Sequence, residues 1–147
     1  MKHNKYLSEA DDTFLIYQFI SEGPKGLVRK SVIFSDTNVE NVYNLAFGDY
    51  DPMTDTLDDL SNTNNGDSKK VLATVAATIY TFTEKYPEAW ITATGSTKAR
   101  TRLYQMGIAN NLAEIVKDFV IFGYNCKGYW EQFIVGEQYE VYLLTRK

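Results

Sequence analysis

The apolar residues of this chain change their spacing once, near residue 67, and the change limits the fold to one that joins a sheet to at least one helix. Before it, aromatic and β-branched side chains fill the segments 13–23, 26–36 and 41–51, which turn residues separate and which predict three strands. A shorter fourth strand is predicted at 56–61. After it, apolar residues recur every three or four positions, as in an amphipathic helix: Val71, Leu72, Val75, Ile79, Phe82 and Tyr86.

Helix boundary signals divide the second half of the chain. Asp67 is suited to be the N-cap of the first helix, and Gly107 is expected to end the second. Asn111 and Glu114 have the spacing of a capping box and predict a short third helix. The predicted helices span about 67–86, 97–106 and 112–117.

Further strands are predicted where β-branched and aromatic residues return: 88–95, 118–124 and 139–146. Whether a shorter strand forms near 130–135 stays open. A largely antiparallel sheet of six to seven strands, two main helices and a short third helix make an α+β fold. We expect a single domain over residues 1–147, in which the polar segment 1–12 is loosely ordered.

Composition excludes several kinds of chemistry. The chain has one histidine, His3, and one cysteine, Cys126, so we expect no disulfide within the chain, no cysteine-based zinc site and no histidine-dependent triad. The acidic segment 48–67 lacks the glycine and the glutamate of a calcium loop, and we expect no metal there. No dinucleotide fingerprint or complete P-loop is present, so no cofactor is expected. The sequence has no signal peptide or membrane span, which predicts a cytoplasmic protein with no membrane partner.

The segment "GSTKARTRLY", at 95–104, contains the strongest candidate for a binding site. Its three cations fall at the start of a predicted helix, where the helix dipole disfavours positive charge, and no acidic residue occurs between Ala89 and Ala113. A bound anion such as a phosphate would relieve this repulsion. We therefore predict an anion-binding site formed by seven residues: Gly95, Ser96, Thr97, Lys98, Arg100, Arg102 and Tyr104.

A helical wheel predicts which side of this helix is buried. Ala99, Leu103 and Met106 fall together and form the only apolar stripe. Cations lie on both flanks of that stripe, so they surround the helix start and do not share one face.

Two other interpretations of the cations remain open. The segment 31–68 contains eight acidic residues and no lysine or arginine. Its carboxylates are possible partners for Arg100 or Arg102 across the fold, in an internal salt bridge. The three candidate partners are Asp49, Asp58 and Asp59. Alternatively, the cations form a solvated face with no partner.

Several segments of this sequence, in the same order and spacing, resemble a family of small bacterial proteins, a domain of unknown function found mainly in Bacteroidota. They are "YNLAFGD" (43–49), "DDLSNTNNGD" (58–67), "KVLATVA" (70–76) and "GSTKARTRLY" (95–104). The resemblance covers nearly the whole chain. It implies a small stand-alone intracellular domain, and it implies no activity.

Three functions fit these features. The first is a small binding module that holds a phosphate-bearing or other anionic ligand, a nucleotide or RNA, at the helix start after Gly95. The second is a metal-independent, RNase-like toxin of a toxin–antitoxin pair, because Arg, Lys and Tyr side chains can position a phosphodiester. The third is a protein-interaction module without a small-molecule site, which binds a protein partner or forms a homodimer. The sequence does not decide whether the protein is an enzyme.

Overall fold

Nine strands and three helices make up the part of the chain that the computed structural model describes, which is residues 4–54, 56–58, 64–95 and 97–147. The strands are β1 (Glu9–Ala10), β2 (Ile16–Gly23), β3 (Gly26–Asp36), β4 (Val42–Asp51), β5 (Thr56–Asp58), β6 (Trp90–Ala93), β7 (Phe119–Asn125), β8 (Trp130–Gln132) and β9 (Tyr139–Arg146). The helices are α1 (Ser68–Lys85), α2 (Lys98–Asn110) and α3 (Leu112–Asp118). The predicted α+β class is confirmed. The predicted number of six to seven strands is approximate: β5 lies within the predicted strand at 56–61, and β1 has two residues and is too short to show a period.

Eight of the strands lie side by side in the order β1-β2-β3-β4-β6-β9-β7-β8. Neighbours are antiparallel except β4 and β6, which run parallel and are separated in sequence by β5 and α1. β6 pairs with residues 42–45 at the beginning of β4, and β5 pairs with residues 49–51 at its end. Two different strands therefore share this edge of β4, and a gap remains between them.

The core lies on the face of the sheet that the helices cover. Phe34 of β3 stacks on Phe82 of α1 with ring centroids 4.1 Å apart, and Phe47 of β4 meets Tyr104 of α2 edge to face at 5.4 Å. Buried positions alternate along β2, β7 and β9, as expected of strands with one covered face. Most side chains at the alternate positions point to the opposite face, where they are exposed or half-buried.

Helix α2 continues through Gly107 to Asn110, so the predicted end at residue 106 is wrong. A Cβ at Gly107 would lie 3.3 Å from the side chain of Leu72, and the glycine therefore allows α2 to approach α1 closely. The predicted capping box at Asn111 is also wrong. The side-chain amide of Asn111 donates backwards, to the carbonyl of Gly107 at 2.8 Å, and makes no cap for α3.

The N-terminal segment docks beside the start of α1. Tyr6, within the segment 1–12 that composition predicts to be loosely ordered, stacks on Phe19 with centroids 5.8 Å apart. Asp67 precedes α1, as predicted, but its carboxylate does not cap the helix. It accepts hydrogen bonds from the hydroxyls of Tyr6, at 2.5 Å, and Ser21, at 2.6 Å. The carboxylate thus connects the N-terminal segment to β2.

Candidate functional site at the start of α2

Arg100 lies inside the protein. It is 8% exposed, its guanidinium donates a hydrogen bond to the carbonyl of Phe47, and it lies 5.8 Å from the centroid of the Phe47 ring. Phe47 belongs to the stretch of β4 between the residues paired with β6 and those paired with β5. Arg100 therefore supplies a donor at the gap in the sheet edge, where a strand carbonyl would otherwise lack a partner.

Tyr104 satisfies the same edge one helical turn later. Its hydroxyl donates to the carbonyl of Leu45 at 3.3 Å, and the side chain is 6% exposed. Arg100, Tyr104 and Ile108 are the buried residues of α2 and recur once per turn, so they form the side of the helix that packs on the sheet.

The predicted buried stripe of α2 is therefore wrong. Ala99 is exposed and Met106 is 40% exposed, while Leu103 is only partly buried. Hydropathy assigns arginine and tyrosine to the surface, but a side chain that can reach a strand carbonyl at a sheet edge is buried by that hydrogen bond. The wheel could not show this, because the carbonyls belong to a distant strand.

The turn between β6 and α2 is closed by local hydrogen bonds. The hydroxyl of Thr97, the N-cap, accepts from the backbone N–H of Arg100 at 3.2 Å. The hydroxyl of Thr101 accepts from the N–H of Gly95 at 3.0 Å and donates to the carbonyl of Thr97 at 3.1 Å. A Cβ at Gly95 would lie 2.4 Å from the amide nitrogen of Thr101, so only glycine fits this turn. Because Thr97 uses one amide of the helix start, a ligand would depend more on side chains than on backbone N–H groups.

Lys98 and Arg102 point away from the sheet. Both are exposed, and both line one cleft of about 510 Å³. They lie one helical turn apart, where like charges destabilise a helix by roughly 0.2–0.5 kcal/mol. The first turn of α2 contains no acidic residue that would offset them. This arrangement gives an anion two adjacent cationic partners.

The opposite wall of the cleft comes from β9 and the turns beside it. The hydroxyl of Thr94 donates to the carbonyl of Glu140, and the side-chain amide of Gln105 donates to the carbonyl of Glu137, both at 2.8 Å. These two hydrogen bonds join the walls of the cleft. The lining residues besides Lys98 and Arg102 are Thr94, Gly95, Thr97, Thr101, Gln105, Cys126, Gln138, Tyr139 and Glu140.

Tyr139 is held as a neutral group at the bottom of this wall. Its hydroxyl donates to the carboxylate of Glu131 at 3.0 Å and accepts from the N–H of Ile134 at 3.1 Å. Burial raises the pKa of Tyr139; the Ile134 amide lowers it, and the Glu131 carboxylate raises it again, with a net increase. At neutral pH this phenol is a hydrogen-bond donor committed to Glu131 and does not act as a base.

The carboxylates predicted as partners for the arginines are placed differently. Asp49 forms an ion pair with Lys30, with Oδ1 and Nζ 2.7 Å apart, and Lys30 is 1% exposed. Asp58 pairs with Asp49 through its backbone, and its side chain lies outside the described residues, as do Asp59 and Ser96 as a whole. Within the described ranges, the hydrogen-bond partner of Arg100 is a carbonyl and not a carboxylate.

The described residues show no metal cluster and no membrane-spanning helix. No group of three or more His, Cys, Asp or Glu side chains among them is placed to hold a metal ion. Cys126 carries an exposed free thiol. None of the helices in the described ranges combines the length and the apolar character needed to cross a membrane.

Sequence reasoning identified one wall of the cleft and missed the other. Lys98 and Arg102 stand out as a local charge pattern within ten residues. Gln138 and Glu140 are distant in sequence and reach the cleft because β9 pairs with β6. No local sequence pattern predicts that β9 pairs with β6, so Gln138 and Glu140 could not be assigned to the site from sequence.

The chain belongs to a family of unknown function, DUF6934, whose family model matches residues 2–147. Comparison with curated proteins found no match, and comparison with solved structures found none. The resemblance to a domain of unknown function is confirmed, and its bacterial, mainly Bacteroidota, distribution stays a prediction. Because the family description gives no activity, the chemistry has to be argued from the geometry of this chain.

Proposed function

We propose that this protein is a small binding module that holds a phosphate-bearing ligand, a nucleotide or an RNA, in the cleft beside the start of α2. One observation supports this most directly: Lys98 and Arg102 are exposed, adjacent and directed into the same cleft, in a helix turn without acidic residues. A phosphate between them would accept hydrogen bonds from both and offset their repulsion. A cytoplasmic location, where nucleotides and RNA occur, is part of the proposal.

Fewer residues are proposed to contact the ligand than the charge pattern alone predicts. Thr97 lies on the cleft wall and can donate from its hydroxyl, since that oxygen accepts only from within the helix start. Arg100 and Tyr104 support the site from behind, because they hold α2 against β4. Gly95 allows the close turn that brings Lys98 to the cleft rim.

We propose binding without cleavage. An RNase that uses Arg, Lys and Tyr side chains needs them around one phosphodiester. Tyr104 is turned away from the cleft towards Leu45, and Tyr139 donates to Glu131. The cationic pair therefore has no free phenol beside it among the described residues, and the toxin hypothesis gains no support from the geometry.

Fluorescence anisotropy with a labelled nucleotide and with a labelled short single-stranded RNA tests the proposal. We expect the wild type to bind at least one probe, and the double variant Lys98→Ala/Arg102→Ala to lose that binding. The matched control is Lys25→Ala/Lys117→Ala, which removes the same charge from two exposed lysines outside the cleft and should bind like the wild type. The affinity for RNA should fall with salt, and removing two phosphate contacts should reduce the slope of log K against log salt by about one to two.

Two results would count against the proposal. The first is a wild type that binds neither probe at low salt. The second is an equal loss of binding in the cleft variant and in the control, because that would trace the affinity to net charge and not to Lys98 and Arg102.

A further inference from the structure

The face of the sheet opposite the helices, which we call the open face, carries large apolar side chains in two groups. One group lies on β2 and β3 and the other on β6, β7 and β8; their members are Ile16, Ile20 and Ile33, and Trp90, Phe122 and Trp130. On β4, between the two groups, Asn44, Ala46 and Gly48 point to this face. Four of the six large side chains are more than a third exposed: Ile16 at 37%, Ile20 at 42%, Trp90 at 37% and Trp130 at 46%. Large apolar side chains that are exposed together on one face mark an interaction surface.

Side chains pack against each other within each group. Ile16 faces Ile33 across the β2–β3 pair, and the ring of Trp90 stacks with that of Phe122, with centroids 6.4 Å apart, across β6, β9 and β7. Trp130 meets Tyr124 edge to face at 5.2 Å. Neighbouring side chains therefore hold each other in place, and a partner would meet a preformed surface.

The charges of the open face lie at one end of the sheet. In the described strands β4 and β6 to β9, no position that points to this face carries an acidic or basic side chain. The charged side chains lie on β1 to β3: Glu9, Glu22 and Arg29, whose guanidinium lies over the ring of Tyr50, 5.3 Å from its centroid. Charged residues make up 23% of the chain, so they are concentrated on the other surfaces. A nucleic acid would require several cations here, and a charged protein partner would lose the hydration of its charged groups without gaining a counter-charge.

The size of the open face matches what one subunit contributes to a stable dimer. The seven strands from β2 to β8 lie about 4.8 Å apart and rise about 3.3 Å per residue, which gives a surface of roughly 29 Å by 24 Å, or about 700 Å². Standard stable interfaces bury about 800 Å² per partner. The uncharged part of the open face, from β4 to β8, is also complementary to itself, as a two-fold interface requires.

We propose that a second copy of this chain packs on the open face, so that the two sheets lie face to face about 10 Å apart with their helices outside. Trp90 lies on β6, in the middle of the strand order, and pairs with the first residue of β4, at one end of the strands. Ile20 and Trp130 lie towards the two ends of the strand order. The proposal concerns the face opposite the cleft wall formed by α2, so it stands independently of ligand binding.

Sedimentation velocity over a range of protein concentrations, from low to high micromolar, tests the dimer. The wild type should sediment as a species of twice the 16.8 kDa chain mass. Ile20→Lys and Trp90→Lys should sediment as monomers, because each would replace an apolar contact of the interface with a hydrated ammonium group. Val116→Lys is the matched control: Val116 is β-branched and 41% exposed, against 42% for Ile20, but lies on α3, and this variant should remain dimeric.

Circular dichroism of each variant establishes that it is folded before its mass is interpreted. Since Trp90 also packs on Phe122, Ile20→Lys decides the question if Trp90→Lys does not fold. A wild type that is monomeric at every concentration would overturn the proposal and leave the open face to a different partner. A folded Ile20→Lys that stays dimeric would overturn it as well, because the dimer would then use another surface.

Discussion

Arg100 stabilises this protein by completing a sheet edge. A buried guanidinium is costly unless its N–H groups find acceptors. The carbonyl of Phe47 provides an acceptor, and the ring of the same residue provides a cation–π contact. The pairing of β6 with β4 ends at Leu45. Without Arg100, the carbonyl of Phe47, further along the same edge of β4, would lose this hydrogen-bond donor.

Two arginines on the same helix should therefore respond differently to truncation. Arg100→Ala should lower the free energy of unfolding by about 2–3 kcal/mol, since it removes a charged hydrogen-bond donor from a buried carbonyl. Arg102→Ala should change it by less than about 0.5 kcal/mol, because Arg102 is exposed. Urea unfolding of both variants measures the difference. Equal effects would show that Arg100 is not held by the interior contacts described above.

At the scale of the residue, the sequence shows that Arg100 is unusual at a helix start, but it does not predict whether the side chain points into the protein or into solvent. No acidic residue near Arg100 in sequence offsets the positive charge at the helix start, and this holds whether the side chain points inwards or outwards. The direction is decided by a gap in a strand pairing more than fifty positions away in sequence. No periodicity within α2 contains that information.

The contact between α1 and α2 depends on a glycine and a small cavity. Gly107 faces Leu72, and both line an apolar cavity of about 30 Å³ between the two helices and the sheet. Alanine in a helix interior is favoured over glycine by roughly 0.8–1.0 kcal/mol. The end of the Leu72 side chain can shift into the cavity by the few tenths of an ångström that a methyl group at residue 107 would need.

Gly107→Ala should therefore stabilise the protein, by about 0.5–1 kcal/mol. Gly95→Ala is the informative contrast and should destabilise it, because its Cβ would lie 2.4 Å from the backbone nitrogen of Thr101, which cannot give way without displacing the helix start. Thermal unfolding of both variants checks the opposite signs. A loss of stability in Gly107→Ala would mean that the α1–α2 contact is too rigid to accept a methyl group.

Tyr80 of α1 links stability to pH at the alkaline end. Its hydroxyl donates to the carboxylate of Asp118 at 3.1 Å and to the carbonyl of Glu114 at 3.2 Å. Burial, reinforced by the hydrogen bond to Asp118, raises the pKa of Tyr80 from 10.0 to about 12. In the unfolded chain the phenol ionises first, so its contribution to stability is complete below pH 10 and is lost as the pH rises towards 12.

Tyr80→Phe should accordingly flatten the fall of stability between pH 10 and 12. The slope should be reduced and not abolished, because burial also raises the pKa of Tyr142 to about 12. Urea midpoints measured at several pH values in this window provide the test, with Tyr129→Phe, at an exposed tyrosine, as the control. If Tyr80→Phe and Tyr129→Phe give the same slope as the wild type, Tyr80 does not carry the proposed linkage.

At the scale of the element, the boundaries of long strands are predicted well from sequence, whereas a strand of two residues is not predicted. β3 and β9 occupy the predicted 26–36 and 139–146, because each is a long segment rich in β-branched and aromatic residues. β1 has two residues and exists through its pairing with β2. Helix α2 passes its predicted end at Gly107 because contact with α1, and not local propensity, decides whether a glycine is tolerated there.

The cleft is a property of the whole molecule, because its two walls come from parts of the chain that only the strand order brings together. Glu140 is the acidic residue among the described residues that line the cleft. It lies on the β9 wall and faces the two cations of the α2 wall. If an anion binds between Lys98 and Arg102, Glu140 must weaken that binding. A single exposed charge acting at this range is worth roughly 0.2–1 kcal/mol.

Glu140→Gln should therefore strengthen the binding of a phosphate-bearing ligand, by about two- to fivefold. The substitution keeps the shape of the side chain and the backbone carbonyl that Thr94 uses. Isothermal titration calorimetry at low salt measures the change against the wild type. Unchanged or weaker binding would place the anion away from this wall.

Long-range pairing is also the limit of what sequence could predict for the whole molecule. The α+β class follows from the two apolar periods, but the order of the strands does not. The parallel contact of β4 with β6, which leaves the gap that Arg100 fills, has no local signal. The open face has only an indirect signal in the sequence, because apolar residues occur on both alternating sets of the long strands. The structure is needed to show which of the two sets the helices leave uncovered.

The central claim is that α2 turns Arg100 into the protein and presents Lys98 and Arg102 to an anion. The most direct test is a titration of the ¹⁵N-labelled protein with inorganic pyrophosphate, followed by two-dimensional NMR. We expect saturable shifts for the backbone amides of Thr97, Lys98 and Arg102 and of the facing Gln138. A second basic cleft beside the start of α1, which includes Lys69 and Lys70, serves as an internal control and should not saturate in parallel. Shifts confined to Lys69 and Lys70, or no saturable shift at the start of α2, would contradict the account.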